Sequence, residues 1–269
     1  MSGWYLSRMN ESTRKHWNDR SDDYFDNDQD IPIIINDPAR AFPRDAWDML
    51  RNAVPDLRGK RVLVPSSGDN KAVFGLCLLG AKATSTDLAE KQLENAAKIA
   101  EANGWDIEFR HADSMTLEGL PNEEYDLVYT SNGCHVWISD LSMMYRAFSR
   151  VLKPGGTYVF FETHPFWRPF DDSTPEVRIV KPYTSTGPFG DPPNYHWRVG
   201  DFLRALLGAG FAIEDFRDME VYKDDILAHS WYYSSQEERE KDNYSKYDWT
   251  LNPWAALPTW MGVSAKKNV

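Results

Sequence analysis

Cysteine is scarce in this 269-residue sequence, and its scarcity excludes two common kinds of site. The two cysteines, Cys77 and Cys134, are too few to form a disulfide framework in a chain of this length. No cysteine and histidine have the spacing of zinc ligands, so we expect no metal site. No nucleophilic triad accompanies Cys134, which argues against covalent catalysis through its thiol.

Long apolar runs and basic runs are also missing from the sequence. No stretch is apolar over the length needed to cross a bilayer, and residues 1–10 lack the continuous apolar core of a signal peptide. The formal net charge is −11, which would repel a nucleic-acid backbone or an anionic membrane surface. We therefore expect a cytoplasmic protein with no nucleic-acid partner and no membrane association.

The hydrophobic content indicates the size of the core. At 42% of the residues, it is sufficient for one large core, and no internal repeat divides the chain. We expect residues 1–269 to form a single domain, which could be a monomer or a homodimer.

The segment 61–87 contains a strand, a polar turn, a helix and a second strand that ends in an acid. The run 61–64 is rich in β-branched residues, which is typical of a strand buried on both faces. In the polar turn that follows, Gly68 can adopt a positive φ, and short side chains let a ligand approach the main chain. Helical spacing of apolar residues resumes at Ala72, so the first N–H groups of this helix should point into the turn.

Asp87 ends the second strand of this segment, predicted over 81–86. An acid at this position can accept hydrogen bonds from both ribose hydroxyls of a nucleoside. It could also cap the next helix through a capping box with Glu90. The segment 61–87 therefore predicts a nucleoside-binding site.

Strands and helices alternate along most of the chain. This alternation is typical of a doubly wound α/β fold with a parallel sheet, in which ligands bind at the carboxyl ends of the strands. Apolar periodicity predicts four further strands at 107–110, 127–130, 157–161 and 212–219, and further helices at 44–53, 88–102 and 141–152.

Several segments together resemble the class I S-adenosylmethionine-dependent methyltransferases. The first loop of that family reads acid-x-Gly-x-Gly-x-Gly, and the corresponding residues here are Val64, Ser66, Gly68 and Asn70. One glycine remains and the acid is missing. The resemblance continues, in the family's order and spacing, through 87–96, 111–115, 125–132 and 151–160. It implies a seven-stranded, mostly parallel, Rossmann-like sheet with an antiparallel last strand at 259–265.

The resemblance also implies S-adenosylmethionine as the cofactor and S-adenosylhomocysteine as its product. In this family an acid like Asp87 binds the ribose, and an acid like Asp113 takes the adenine amino group. Side chains of Ser67, Asp69 or Asn70 could replace the contacts of the missing acid. The full set of cofactor contacts that the resemblance implies is Pro65, Ser66, Ser67, Gly68, Asn70, Asp87, Leu88, Gln92, Asp113, Ser114, Met115, Ser131 and Asn132.

The first 55 residues resemble the N-terminal segment that covers the cofactor in small-molecule methyltransferases. The spacing of Trp17 and Tyr24 is similar to that of the family's lid helix, and aromatic faces attract a sulfonium cation. We expect both residues to contact the cofactor, with packing of a surface helix as the alternative.

Two insertions interrupt the pattern after the fifth strand. Residues 163–197 are rich in proline, glycine and aromatic residues, and loops of this length in compact domains are usually functional. We predict that this segment and a second one at 222–257 form a cap over the methyl acceptor, with a satellite aromatic cluster as the alternative. The predicted substrate contacts are His135, Trp137, Phe166, Trp167, Arg168, Tyr195 and Arg198.

The expected reaction is an in-line attack by an acceptor atom on the cofactor methyl group. Such an enzyme mainly aligns its reactants and excludes water, and needs a base only when the acceptor must lose its proton early. The candidate bases are His135, His164 and His196, each of which could instead be an ordinary polar loop residue.

Three other functions are alternatives to a small-molecule methyltransferase. The loop 132–137 lacks the Asn/Asp-Pro-Pro-aromatic signature of nucleic-acid and protein amide-nitrogen methyltransferases. This absence favours a small acceptor, which could be anionic or aromatic. A nicotinamide-dependent oxidoreductase is disfavoured because Ser66 and Asn70 replace glycines that approach a pyrophosphate. The remaining alternatives to a small-molecule methyltransferase are a tRNA or rRNA methyltransferase and a non-catalytic S-adenosylmethionine-binding protein.

Overall fold

A central sheet organises the chain. The computed structural model describes residues 3–25, 30–171, 173, 174, 176–223, 225 and 236–269. Within these ranges, seven strands form one sheet in the order β3-β2-β1-β4-β5-β7-β6, in which only β7 runs antiparallel to its neighbours. The predicted fold class is confirmed. The strands are β1 (Arg61–Pro65), β2 (Lys82–Asp87), β3 (Ile107–His111), β4 (Tyr125–Thr130), β5 (Leu152–Thr163), β6 (Phe211–Met219) and β7 (Trp260–Lys267).

Helices cover both faces of the sheet. Alternate residues of a strand point to opposite faces. Leu63 therefore packs with the helices at 141–151 and 199–208, while Val62 and Val64 pack with the helices at 30–36, 44–53 and 71–78. Val62, Leu63 and Val64 of β1 are all buried, as the β-branched run predicted. The α-helices are α1 (Gly3–Asp19), α2 (Ser21–Phe25), α3 (Asp30–Asn36), α4 (Arg44–Ala53), α5 (Lys71–Leu78), α6 (Glu90–Asn103), α7 (Leu141–Val151), α8 (Val199–Gly208) and α9 (Gln236–Lys241).

Two local expectations are wrong. The capping box between Asp87 and Glu90 does not form, because α6 begins at Glu90 and its N-cap, Ala89, makes no side-chain cap. The carboxylate of Glu90 instead binds α1. Strand β5 begins at Leu152 and not at residue 157, because Leu152 pairs with Tyr125 before the irregular turn that follows it.

The two insertions leave the sheet between β5 and α8 and between β6 and β7. They contact each other through aromatic rings, since the indole of Trp167 stacks on that of Trp254 with the ring centroids 4.6 Å apart. Phe170 packs edge-on against the same Trp254 ring. No α-helix in the described ranges has the length and apolarity needed to span a membrane.

Candidate functional site

A cavity of about 420 Å³ lies where the parallel strands end. Its walls come from the segments that follow β1, β2, β3 and β4 and from α1, which matches the expected position of a ligand in a doubly wound sheet. The predicted site residues that line it are Trp17, Ser66, Ser67, Gly68, Asp87, Leu88, Gln92, Asp113, Ser114, Met115, Ser131, Asn132 and Trp137.

The glycine-poor loop, residues 66–70 after β1, keeps the backbone shape of a glycine loop. Ser66, Gly68 and Asn70 all have positive φ values, of 49°, 54° and 60°. These are the three positions at which the resembling family carries glycine. Asn adopts the left-handed conformation more readily than most other non-glycine residues, whereas serine needs a compensating interaction. The pattern of φ is therefore kept although two of the glycines are replaced.

Side-chain hydrogen bonds hold this loop. Ser85 on β2 places its Oγ 2.5 Å from Asn70 Oδ1 and 2.8 Å from Ser67 Oγ. Asn70 Nδ2 donates to the carbonyl of Gly68 at 2.7 Å, and the hydroxyls of Ser66 and Ser114 lie 2.7 Å apart. Neutral side chains thus connect the loop to the β2 strand and to the segment after β3.

Asp87 lies at the tip of β2, beside the glycine-poor loop. Its carboxylate accepts hydrogen bonds from the backbone N–H groups of Gly68 (3.0 Å) and Ala89 (2.8 Å). Burial raises the pKa of Asp87, and these two hydrogen bonds partly oppose that effect. The main chain therefore fixes the carboxylate at the cavity wall, where it retains lone pairs for further donors.

Two more polar side chains converge on the same part of the cavity. Gln92 is 1% exposed, and its Oε1 atom has no hydrogen-bond partner among the described residues. Asp113 accepts from the backbone N–H of Met115 at 2.8 Å and from Asn10 Nδ2 at 2.7 Å. A buried acceptor without a donor is costly, so the cavity suits a ligand that donates hydrogen bonds to Gln92.

Helix α1 covers the cavity. Trp17 and Trp137 both line it and pack edge to face, with ring centroids 5.5 Å apart. Arg14 and Asn18 of α1 hydrogen-bond the Glu90 carboxylate at the start of α6, at distances of 2.5 to 3.0 Å. Contact of Trp17 with a cofactor stays a prediction. Tyr24 belongs to α2, but its side chain lies outside the described residues.

The β4 loop, residues 131–137, is held by a buried ion pair. Glu162 accepts from the backbone N–H groups of Gly133 and His135, and its Oε2 lies 3.2 Å from His135 Nδ1. Nδ1 of His135 therefore donates to Glu162, and Nε2 lies 3.2 Å from the Tyr158 hydroxyl. Burial alone would raise the pKa of Glu162, but the hydrogen bond and the charge of His135 outweigh it and lower that pKa.

The predicted base His135 is a core residue. Its side chain is fully buried, packs against Phe160 and Phe202, and is not among the described residues that line the cavity. Both ring nitrogens are occupied by Glu162 and Tyr158. The structure therefore corrects the expectation that His135 faces the acceptor, and the role it supports is to hold the β4 loop.

The other two histidines also lie outside the described cavity wall. His164 accepts from the Phe166 N–H through Nδ1, while Nε2 lies 3.0 Å from Asp218, and burial outweighs that carboxylate to lower the pKa of His164. His196 packs on Phe189. Burial and the charges of nearby basic groups lower the pKa of His196 to about 4. These surroundings favour the loop-packing alternative for both.

The predicted substrate contacts of the first insertion are engaged elsewhere. Arg198 caps α8 and pairs with Asp201 at 2.8 Å, and Tyr195 is buried against Trp197. Trp167 stacks on Trp254 of the second insertion. Phe166 is half-exposed, and neither it nor Arg168 is among the described lining residues. This placement favours the satellite-cluster alternative. Pro65 and Asn70, predicted as cofactor contacts, are also not among the described lining residues.

Ten described residues of the cavity wall lie outside the predicted set of contacts, and they are Asn10, Thr13, Ala41, Asp69, Lys71, Ala72, Gly133, Ile138, Phe161 and Trp260. Asn10 and Thr13 precede Trp17 by seven and four positions, so helical spacing alone would have placed them on the same face of α1. Phe161 and Trp260 come from neighbouring strands and carried no sequence signal of a site. Asp69 and Lys71 flank Asn70 and also face the cavity.

Comparisons with known proteins agree with this geometry. Residues 67–156 match a family model described as a methyltransferase domain. The chain is 30% identical over 147 residues to the Sterol 24-C-methyltransferase erg6 of Aspergillus fumigatus, covering 53% of this chain and 36% of that protein. It is 31% identical over 114 residues to the Ubiquinone biosynthesis O-methyltransferase of Bordetella pertussis, covering 42% of this chain and 46% of that protein. The chain thus spans less than half the length of both relatives.

A solved structure extends the likeness beyond the matched segment. An S-adenosylmethionine dependent methyltransferase from Mesorhizobium loti superposes with a TM-score of 0.61 and 25% identity, covering 82% of this chain and 97% of that one. The family match includes much of the cavity wall, from Ser67 to Ile138. Residues 67–156 therefore match a methyltransferase domain, in a fold shared with an S-adenosylmethionine dependent methyltransferase.

Proposed function

We propose that this protein transfers a methyl group from S-adenosylmethionine to a small-molecule acceptor. The observation that carries the proposal is the fixed Asp87 carboxylate at the end of β2, which faces a cavity of about 420 Å³. Cavities of roughly 300–1,000 Å³ are typical of small-ligand sites. The sterol and ubiquinone-biosynthesis methyltransferases to which the chain is similar lend support to an acceptor of this class.

The polar groups of the cavity wall fit the nucleoside half of the cofactor. Asp87 would accept hydrogen bonds from the ribose hydroxyls. Asp113 and the unpartnered Oε1 of Gln92 are acceptors suited to N–H or O–H donors of the same ligand. The glycine-poor loop would let the ligand approach the main chain at Gly68.

The residues of the chain would act mainly by alignment. The cofactor supplies an electrophilic methyl group on a sulfonium. Trp17 and Trp137 would cover the cavity and exclude water, and their aromatic faces favour a cationic ligand. Because no histidine is among the described lining residues, we propose a transfer that depends on positioning and not on a histidine base.

The charges of the wall bear on the acceptor. The described lining carries the carboxylates of Asp69, Asp87 and Asp113 and the ammonium group of Lys71. This balance is negative, so a neutral or cationic acceptor suits the cavity better than an anionic one. The aromatic side chains of Phe161 and Trp260 add apolar surface for its skeleton.

Calorimetric titration of S-adenosylmethionine and S-adenosylhomocysteine tests the proposal. We expect micromolar binding by the wild type and a loss of at least about tenfold in Asp87→Ala, because charge-assisted hydrogen bonds are lost. The exposed acid Asp106, changed to alanine, is the matched control and should bind as the wild type does. No binding by folded wild type would contradict the proposal. Binding without turnover in a screen of small acceptors would favour the non-catalytic alternative.

A further inference from the structure

We propose that Arg150 is a positioning residue, which shapes the part of the cavity wall that would bind adenine. Arg150 lies near the end of α7 and is not among the described residues that line the cavity. It acts on the β3–β4 segment, residues 112–124, which contributes Asp113, Ser114 and Met115 to the wall. The inference rests on the proposed function, since Asp113 would accept a hydrogen bond from the amino group of adenine.

The guanidinium of Arg150 binds the β3–β4 segment through both of its terminal nitrogens. Nη2 donates to the backbone carbonyls of Thr116 (3.1 Å) and Leu117 (2.8 Å). Nη1 donates to the carbonyl of Leu120 (2.9 Å) and to Asn122 Oδ1 (2.7 Å). A planar guanidinium has five donors in a fixed arrangement, so it can reach several acceptors at once. One side chain of α7 thus gathers acceptors from residue 116 to residue 122.

The β3–β4 segment needs this support because its backbone is strained at Leu117. Leu117 is fully buried and has a φ of 46°, in the left-handed region that bulky side chains rarely adopt. Such a residue persists only where the surrounding structure fixes its backbone. The hydrogen bond from Arg150 to the Leu117 carbonyl is one of the contacts that do so. Without the guanidinium, this turn would be free to relax toward ordinary backbone angles.

The turn at Leu117 is joined directly to Asp113. The backbone carbonyl of Asp113 accepts from the N–H groups of Thr116 (3.0 Å) and Leu117 (2.7 Å). The carboxylate of Asp113 accepts from the N–H of Met115 at 2.8 Å, within the same turn. A change of φ at Leu117 would therefore move the main chain that carries the Asp113 carboxylate. The position of this carboxylate on the cavity wall thus depends on a guanidinium outside the cavity.

The proposed ribose contact is held by other groups. The Asp87 carboxylate accepts from the backbone N–H groups of Gly68 and Ala89, and both of these residues lie outside the β3–β4 segment. Loss of the Arg150 guanidinium should therefore disturb the contact with adenine and spare the contact with the ribose.

Titration with two ligands that differ at one group of the base tests the proposal. The probes are S-adenosylhomocysteine and S-inosylhomocysteine, in which an oxygen replaces the amino group of adenine. A carboxylate accepts from that amino group but repels the oxygen, so the wild type should bind S-adenosylhomocysteine at least about tenfold more tightly. Arg150→Met should lower this affinity ratio to about threefold or less, mainly by weakening S-adenosylhomocysteine. Arg150→Lys keeps the charge but not the fixed set of donors, so its ratio should be intermediate.

The affinity ratio is a measurement that loss of stability alone would not change. Partial unfolding lowers the apparent affinity for both ligands by the same factor and leaves their ratio as it was. Arg146→Met is the matched control, because Arg146 is an exposed arginine on the same helix. This variant should keep the wild-type ratio.

The outcomes separate this inference from the proposed function. A ratio that falls in Arg150→Met but not in Arg146→Met supports the inference. An unchanged ratio in Arg150→Met, or a wild type that binds the two ligands equally well, overturns it and leaves the proposed function intact. If the folded wild type binds neither ligand, the proposed function and this inference both fall.

Discussion

The glycine-poor loop and the β4 loop line the same cavity but are held by different chemistry. Neutral hydroxyl and amide side chains make most of the side-chain hydrogen bonds of the first, through Ser85 and Asn70, and the Asp87 carboxylate adds one contact at the Gly68 N–H. A buried carboxylate holds the second, because Glu162 gathers two of its backbone N–H groups and the ring of His135. The first loop therefore depends on backbone conformation, and the second depends on one charge.

The difference predicts how much a substitution in each loop lowers the stability of the protein. Removing one partner of a buried charged cluster leaves several groups without hydrogen bonds, whereas a neutral network loses one or two weaker bonds. The β4 loop should be the more sensitive of the two, and the following variants test that ranking.

The largest effect is expected from Glu162→Ala. The change removes the acceptor of the buried His135 ring and N–H and of the half-buried Gly133 N–H, so we expect a loss of about 3–5 kcal/mol in the free energy of unfolding. Urea unfolding measures it, with the exposed Glu94→Ala as the control. A loss below about 1 kcal/mol would mean that the ion pair does not hold the loop.

A smaller effect is expected at Asn70, and it can be divided into two parts. Asn70→Ala removes two hydrogen bonds and places alanine at φ 60°, for a loss of about 2–3 kcal/mol. Asn70→Gly loses the same hydrogen bonds but tolerates the backbone conformation, so it should cost about 1 kcal/mol less. Equal losses in urea unfolding would show that the positive φ carries no energetic cost.

Lowering the pH should separate the two loops further. The pKa of Glu162 in the folded protein lies below its ordinary value of 4.5. The ionised carboxylate therefore contributes its full stability above about pH 4.5, and this contribution is lost as the pH falls through the folded pKa. The stability gap between wild type and Glu162→Gln should narrow from pH 6 to pH 3. The gap for Asn70→Ala should stay constant, and a parallel decline of both gaps would refute the distinction.

The smallest effect is expected from Ser66→Gly. Glycine relieves the positive φ of 49° but removes the hydrogen bond between the hydroxyls of Ser66 and Ser114. These contributions are each about 1 kcal/mol and opposite in sign, so the net change should lie within about 1 kcal/mol of zero. A larger loss in thermal or urea unfolding would assign Ser114 a stronger part in shaping the loop.

The positions of Asp87 and Asp113 on the cavity wall could be predicted from the sequence because strand ends fix them. Hydrophobic periodicity located β1 to β4, and the parallel topology then brought Asp87 and Asp113 to one edge of the sheet. Predicting the position of each residue required only its distance along the chain from the nearest strand, which the local sequence provides.

The placement of His135 and of the insertion side chains could not be predicted in the same way. The burial of His135 depends on Glu162, 27 positions away, and the aromatic contacts of Trp167 depend on Trp254 in the other insertion. An aromatic residue in a long loop has the same sequence signature whether it faces a ligand or another ring. The cover by α1 was predicted, but the contact between Arg14 and Glu90 depends on a pair 76 positions apart.

The three positive φ values of the glycine-poor loop have a consequence for recognising related domains. A search pattern that demands glycine at these positions demands more than the backbone requires, since Ser66 and Asn70 meet the conformational need with help from Ser85 and Ser114. A pattern that allowed asparagine or serine there, conditional on a serine near the end of the second strand, would retrieve diverged domains that glycine-only patterns discard. Covariation between the loop and that strand would then be the signature to look for.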